Sequence, residues 1–439
     1  MGRAYRSRYG TTSKDKPLPH SLHPGFITFA SMLTADQLLD AARTYGTPLY
    51  VYDEKQIVGQ YQRLKTAFPA SGTRFFYACK ALSNINILRL LQQQGAGLDT
   101  VSLNEVRLGI LAGFDPGSIL YTPNNVAFSE LEAAVQHGVH ITIDNISILE
   151  QFGNRFGADY PILVRLNPHI MAGGNLKIST GHIDSKFGIS IHQLRHVLRI
   201  VKTTGLRVEG LHMHTGSEIK DIEVFIEALE VLLDCAHHFP HLKYLDLGSG
   251  FKVPYAIDEK ATDLHQLAKR LQETMASFQK ETNLNPEIWF EPGKFIVSQS
   301  GYFVTKVNVV KQTPATVFAG IDTGFNHLIR PMFYDAYHRI ENLSNPAGTE
   351  RIYTVVGNLC ETDTFCWDRV LPEIREGDYL VFHNAGAYGF EMASSFNSRC
   401  RPAEILMRDN QAYMIRRRET LDDLLALQID LSLPSHSVL

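Results

Sequence analysis

The chain has 439 residues, 44% of them hydrophobic and 20% charged, an ordinary globular composition with room for more than one core. A formal net charge of −4 excludes the basic footprint of a nucleic-acid binder, and no apolar run approaches the ~20 residues of a membrane span. Five cysteines (Cys79, Cys235, Cys360, Cys366, Cys400), odd in number and without metal-type spacing, point to free thiols in a reducing cytoplasm rather than a disulfide framework.

The opening stretch MGRAYRSRYGTTSKDKPLPH is basic and polar and lacks the apolar core of a secretory signal, so residues 1–22 are expected to be a floppy tail. Residues 23–53 end in TPLYVYD (47–53), a strand-like run expected to join a β region further along the chain. From residue 74 to 293 a short apolar run ending in polar residues or glycine alternates with helical periodicity. The runs are RFFYACK (74–80), GLDTVS (97–102), ILYTPN (119–124), HITIDN (140–145), ILVRLN (162–167), VEGLHMHT (208–215), YLDLGSG (244–250) and IWFEPG (288–293). Segments such as NINILRLLQQQG and LNEVRLGILAG between them carry the helical spacing. Eight such units over about 220 residues match a (β/α)8 TIM barrel, whose usual length is ~250 residues, expected here over 54–305. An open doubly wound sheet is disfavoured, because no GxGxxG follows the first strand. After residue 306 the runs are β-branched and aromatic (ATVFAGID, RIYTVVGN, DYLVFHNAG), which predicts a C-terminal β-sandwich or β-barrel domain over 306–439.

A barrel presents its active site at the C-terminal strand ends. Those ends supply Lys80, Asp99 and Ser102, Asn124, Asp144 and Asn145, Asn167, His214 with Ser217, Gly248-Ser249-Gly250, and Glu291. A lone strand-end lysine is usually a snorkelling surface residue. A lysine, a histidine, a glutamate and a glycine turn at one mouth suggest pyridoxal phosphate, which needs an amine, an anion site and a partner for its ring nitrogen. Each feature alone has a plain alternative: a turn for the glycines, an ion pair for Glu291, a satisfied core histidine for His214 and a buried small hydrophobe for Cys360.

The segments YACKALSN, HMHTGSEI, LDLGSGF, EPGKFIV, CETDTF and GAYGFEMASSFNSRCRPAEIL, in that order, resemble the alanine-racemase-like (fold type III) pyridoxal phosphate decarboxylases, most closely the diaminopimelate decarboxylases. The likeness runs from about residue 45 to 425. It implies Lys80 as the Schiff-base lysine, Asp99 on the cofactor side, His214 stacked on the cofactor ring and Glu291 at its nitrogen. Ser217, Gly248, Ser249 and Gly250, the backbone of Glu291, Pro292, Gly293 and Lys294, and Tyr388 would hold the phosphate end. Arg330, Tyr334, Lys294 and Tyr388 would meet substrate. Cys360 would be the proton donor and Glu361 a substrate contact, both lent by the second subunit of a homodimer with shared sites. The family usually has arginine where this chain has Lys294, which keeps the cation but loses the bidentate fork. No metal is expected.

The implied activity is decarboxylation of meso-2,6-diaminopimelate to L-lysine and CO2, the last step of lysine synthesis. Competing expectations are a decarboxylase for ornithine, lysine or carboxynorspermidine, an amino-acid racemase, or a catalytically dead cofactor-binding regulator. Arg330 argues against substrates with a distal ammonium, and the presence of Cys360 and Glu361 argues against the dead regulator.

Overall fold

A computed structural model describes residues 33–69, 72–170, 185–216, 219, 221–256 and 258–431; Ser217 and the tail expected over 1–22 lie outside them. Strand β1 (Leu49–Asp53) precedes the barrel. Strands β2 (Thr73–Ala78), β3 (Gly97–Thr100), β4 (Ile119–Tyr121), β5 (His140–Ile143), β6 (Ile162–Asn167), β8 (Val208–His212), β9 (Tyr244–Asp246) and β10 (Glu287–Phe290) run parallel, with a two-residue strand β7 (Ile189–Ser190) beside β6. They pair in the order β5-β4-β3-β2-β10-β9-β8-β6, and β5–β6 pairing closes the ring. All eight runs read from the sequence are therefore barrel strands. Among the described residues no helix is long and apolar enough to cross a membrane.

The ring closes because its interior is filled by complementary sizes. Phe76 on β2, Leu120 on β4, Leu163 on β6 and Trp289 on β10 form one buried cluster, with Tyr244 of β9 stacked 4.1 Å from Trp289. Two of the intervening strands, β3 and β8, carry glycine at this level. A Cβ at Gly97 would sit 2.5 Å from the Phe76 ring, and one at Gly210 would sit 2.6 Å from Leu163. Bulky residues, with glycine on β3 and β8 where Phe76 and Leu163 need the room, make a packed plug rather than a pore.

Several polar strand-end residues start helices instead of lining the mouth. Ser102 caps α4 (Leu103–Ala112) by accepting from the Glu105 amide at 3.2 Å, and Asn145 caps α6 (Ile146–Phe156) through the Ile148 amide at 2.9 Å. Asn167 accepts from the His169 amide at 3.0 Å and so fixes a turn. Capping gives Ser102 and Asn145 a structural role of their own.

The second sheet is built from β11 (Gly301–Gln312), β12 (Val317–Ile321), β13 (Ile340–Asn342), β14 (Glu350–Val356), β15 (Thr364–Pro372), β16 (Tyr379–Phe382), β17 (Ala403–Arg408) and β18 (Gln411–Arg416). Its main order is β15-β14-β12-β11-β1-β17-β18, with β16 pairing β11 and β13. Strand β1 lies antiparallel to β11 and parallel to β17, so the run near residue 50 belongs to this sheet. Strand β15 escapes sequence reading for a physical reason. Its pairing with β14 shifts register, Asp368 takes φ of 44°, and Trp367 and Val370 face outward, so the alternation of a half-buried strand is broken.

Glu404 of β17, fully buried, ties the sheet to the barrel. Its carboxylate accepts from Tyr52 Oη at 2.8 Å, from Nδ2 of Asn84 (the cap of α3, Ile85–Gln93) at 3.0 Å, and from Arg416 Nε. Replacing it with alanine removes the acceptor of three donors, of which Asn84 Nδ2 keeps the Ile415 carbonyl at 3.3 Å. Because the Arg416 side chain is 41% exposed and can turn to water, Glu404→Ala should cost about 2 kcal/mol rather than the larger penalty of a fully buried pair. The urea midpoint of the purified protein measures this.

Candidate active site at the barrel mouth

Strand side chains alternate, so residues two positions beyond the plug form the next layer up. From the plug residues and their glycines this step leads to Asp99, Thr122, Arg165, His212, Asp246 and Glu291, all buried. One further step reaches Lys80, His214, Gly248 and Gly293. Lys80 lies in the turn Cys79–Ala81 that ends β2.

The layer balances its charges internally. Lys80 Nζ donates to Asp99 Oδ2 at 2.5 Å, and Thr122 Oγ1 donates to Asp99 Oδ1 at 2.7 Å. Burial works to lower the Lys80 pKa, but the Asp99 and Glu291 carboxylates outweigh it and hold the amine protonated. Burial also tends to raise Glu291, and the opposing pull of His212, Lys80 and His214 keeps it an anion. His212 Nε2 lies 3.4 Å from Glu291 Oε1. Arg165 sits over the Phe187 ring at 4.8 Å; burial lowers its pKa against the pull of Glu291, Asp144 and Asp99. Asn124 Nδ2 donates to Asp144 Oδ2 at 2.5 Å.

Above this layer His214 meets the glycine turn. Burial, followed by the Arg165 cation, brings the His214 pKa down to about 3. The Ser249 amide donates to His214 Nδ1 at 3.2 Å, so the neutral ring carries its proton on Nε2. Gly248 has φ of 61°, and a Cβ there would lie 2.6 Å from His214 Nδ1; one on Gly250, at φ of 130°, would lie 2.4 Å from the Gly216 carbonyl. The turn is therefore glycine because the backbone runs hard against the His214 segment. The Gly248 amide donates to Asp246 Oδ1 at 2.8 Å, so two of the turn's three amides are engaged within the protein. The Glu291 amide donates to the Gly248 carbonyl at 2.7 Å, and Pro292 accepts from Ala78, which draws the EPGK segment against the Lys80 turn. Gly293 fits there because a Cβ would come within 3.0 Å of Ala78 and Ala81.

The second sheet closes the mouth. Tyr388, at φ of 56° between Ala387 and Gly389, donates its amide to the Ala81 carbonyl at 2.9 Å, one residue from Lys80. Arg330, buried at the start of α11 (Arg330–Tyr334), lies 5.5 Å over the Tyr255 ring and 5.7 Å over Tyr334, and Lys294 Nζ lies 5.9 Å over Tyr255. Among the described residues, Arg330 Nε and Tyr255 Oη are buried without a hydrogen-bond partner. Cys360 and Glu361 stand apart: they are exposed on the loop between β14 and β15. There Asn397 Oδ1 accepts from the Cys360 amide at 3.0 Å, and Asn397 Nδ2 lies 3.1 Å from Cys360 Sγ.

Sequence reading missed Thr122, Arg165, His212, Asp246 and Tyr255. Arg165, His212 and Asp246 sit in strands and Thr122 directly follows β4, where neighbouring residues hide them; the signal was the two-residue step, visible in His212–His214 and in Asp246–Gly248. His212, Asp246 and Glu291 also form, among the described residues, a set of three potential metal ligands, which the sequence had not suggested.

Residues 54–298 match the family model for the pyridoxal-binding domain of pyridoxal-dependent decarboxylases. A diaminopimelate decarboxylase from Methanothermobacter thermautotrophicus is 40% identical over 88% of this chain and 92% of its own. The diaminopimelate decarboxylase of Escherichia coli strain K12 is 34% identical over 94% of this chain and 100% of its own. The chain belongs to the diaminopimelate decarboxylase family. Its fold agrees with that of the Helicobacter pylori diaminopimelate decarboxylase complexed with L-lysine, at a TM-score of 0.82 and 31% identity, covering 89% of this chain and 98% of that one. Pyridoxal phosphate is the cofactor of this family, and the mouth fits it: an amine at Lys80, a buried anion at Glu291, and a glycine turn with no room for side chains.

The depressed His214 pKa has a stability consequence. An unfolded imidazole binds its proton below about 6.5, whereas the folded ring stays neutral to about 3. The unfolded state thus holds more protons between these values, so this term adds stability as pH rises through the window. His338, down to about 3, and His327, down to about 4, act in the same sense. His214→Phe should make the slope of unfolding free energy against pH, between about 4 and 6, less positive by up to about 1 kcal/mol per pH unit. Urea unfolding of both proteins across that range tests it.

Proposed function

We propose that this protein decarboxylates meso-2,6-diaminopimelate to L-lysine and CO2, as the last step of lysine synthesis in a cytoplasm. The observation that carries the reading is the mouth's charge layer, in which Lys80 and the buried anion Glu291 face one site closed by Tyr388 and Arg330. The family membership supplies the chemistry. Bound pyridoxal phosphate supplies an electron sink for the pair left behind by departing CO2.

The chain's own residues do the rest. Lys80 carries the cofactor, and Asp99 holds its amine in place and can accept the proton the amine gives up, the carboxylate becoming neutral as the ammonium does. Glu291 keeps a proton on the ring nitrogen. His214, neutral and locked by Ser249, offers a flat face for stacking. Gly250, the Glu291–Lys294 backbone, Ser217 and Tyr388 hold the phosphate, with Gly248 and Ser249 shaping the turn. Arg330 and Lys294, both above Tyr255, recognise carboxylate, with Tyr334 beside them; a distal carboxylate is what diaminopimelate has and ornithine or lysine lacks. The point charge of Lys294 serves there in place of an arginine fork.

The same reading makes the protein a homodimer in which Cys360 and Glu361 complete the partner's site, Cys360 delivering the proton to carbon. The hairpin that carries them supports this. Its Ile352 and Val370 are register partners, 58% and 54% exposed, beside Trp367 at 64%. Such an apolar face next to an exposed functional loop suits a second copy of the chain.

Four outcomes test the proposal. Purified protein with pyridoxal phosphate should release CO2 and lysine from meso-diaminopimelate and not act on L-ornithine or L-lysine; activity only on those two would refute the substrate. Lys80→Ala should lose the visible absorbance of bound cofactor with its fold intact by circular dichroism. Cys360→Ala should keep the absorbance and lose at least about 100-fold in turnover. Mixing unfolded and refolded Lys80→Ala and Cys360→Ala chains should then restore up to about a quarter of wild-type activity, since random pairing leaves one intact site in half the dimers. No recovery would argue against shared sites.

A further inference from the structure

Beneath the mouth, three buried ionisable groups meet without completing their hydrogen bonds. His212 ends β8, Asp246 ends β9, and Glu291 directly follows β10. His212 and Asp246 are register partners, and the Glu291 amide is bonded to Gly248, so adjacent strands fix all three at one level. One polar atom from each lies within 4.8 Å of the others. Yet their contacts stop short of well-formed hydrogen bonds: His212 Nε2 stands 3.4 Å from Glu291 Oε1, and neither His212 ring nitrogen, nor Glu291 Oε1, nor Asp246 Oδ2 has a partner in good hydrogen-bond geometry among the described residues.

Two carboxylate oxygens turned toward each other are both acceptors, and one of them needs a proton for the contact to be favourable. Asp246 is the better holder. Its Oδ1 is already fixed by the Gly248 amide at 2.8 Å, which leaves Oδ2 as the oxygen available to carry a proton. Burial, and then the Glu291 charge, pushes Asp246 well above the carboxylate range, while Glu291 has His212, Lys80 and His214 to hold it down. Asp99 and Arg165 complete the charged surroundings, Asp99 pushing Asp246 further up.

We propose that His212 and Asp246 are positioning residues that keep Glu291 the one anion of this triad and aim it at the mouth, Asp246 serving as a neutral hydrogen-bond donor. This rests on the reading in which Glu291 faces the cofactor's ring nitrogen. The triad's acidity is then matched to a ligand that presents a protonated ring nitrogen, and much of the binding preference for such a ring originates behind Glu291.

The experiment is a fluorescence titration of cofactor-free protein with two probes: pyridoxal phosphate, and its carbocyclic analogue in which C–H replaces the ring nitrogen. Wild-type protein should prefer the nitrogen-bearing ring. His212→Leu and Asp246→Ala should each cut that preference about tenfold or more, whereas Asp246→Asn, which keeps a neutral donor in place of Oδ2–H, should retain it. Equal loss of affinity for both probes in His212→Leu and Asp246→Ala, as a purely structural role would give, overturns the proposal. So does an Asp246→Asn protein that behaves like Asp246→Ala. Glu291→Gln separates the two readings. If it leaves the preference intact, the assignment of Glu291 to the ring nitrogen fails and takes the proposal with it. If Glu291→Gln loses the preference while His212→Leu and Asp246→Ala keep it, the proposal alone fails.

Discussion

Burying charge in a barrel interior is possible only when the charges answer one another, and this constraint organises the molecule. The guanidinium of Arg165 shares one buried layer with Asp99, Asp246 and Glu291, and the half-buried Lys80 ammonium reaches down to Asp99 from the level above. Left alone, each buried charge would cost several kcal/mol. Together they make a mouth whose potential is set before any ligand arrives, so little reorganisation is needed when charge develops there. The layer stands on an apolar plug of Phe76, Leu120, Leu163 and Trp289, and the glycines at 97 and 210 let that plug close. Fold and site are thus two levels of a single alternating pattern.

The roof is contributed from outside the barrel. The Tyr388 amide bond to Ala81 and the burial of Arg330 bring the second sheet down onto the Lys80 turn, and Glu404 with Tyr52, Asn84 and Arg416 fastens that sheet in place. The residues that need most precision, Lys80, His214 and Glu291, stand on barrel strand ends. Those assigned to substrate, Arg330 and Tyr334, come from a short helix of the other sheet, where specificity can vary without disturbing the charge layer. The loop with Cys360 and Glu361 is held by Asn397 and by the Asp363 side chain, which accepts from the Leu359 amide at 3.2 Å. It is an ordered loop presented outward, consistent with use by a second copy.

The barrel was legible because its strands are short apolar runs ending in polar residues, and each of the eight was found in its place. Lys80 and Glu291 could be singled out for the same reason, since each is a charge just past an apolar run. Ser102 and Asn145 share that signature but cap helices, a use that strand-end polarity alone does not separate from catalysis. His212, Asp246 and Arg165 were invisible as a layer because their neighbours in sequence are apolar; only the two-residue step from the plug reveals them. Strands β15 and β18 were hidden by register shifts and exposed faces, and β17, buried along nearly its whole length around the charge of Glu404, shows no period-2 alternation either. Motif order, rather than periodicity, carried Cys360, Arg330 and Tyr388, whose positions depend on long-range packing.

The central claim is that one lysine at the end of the first barrel strand anchors the cofactor. Borohydride treatment of the protein loaded with pyridoxal phosphate, followed by digestion and peptide mass spectrometry, tests it most directly. The account predicts a reduced pyridoxyl phosphate adduct on the peptide containing Lys80 and on no other. An adduct at a different lysine, or none in a protein that retains its visible absorbance, would contradict it.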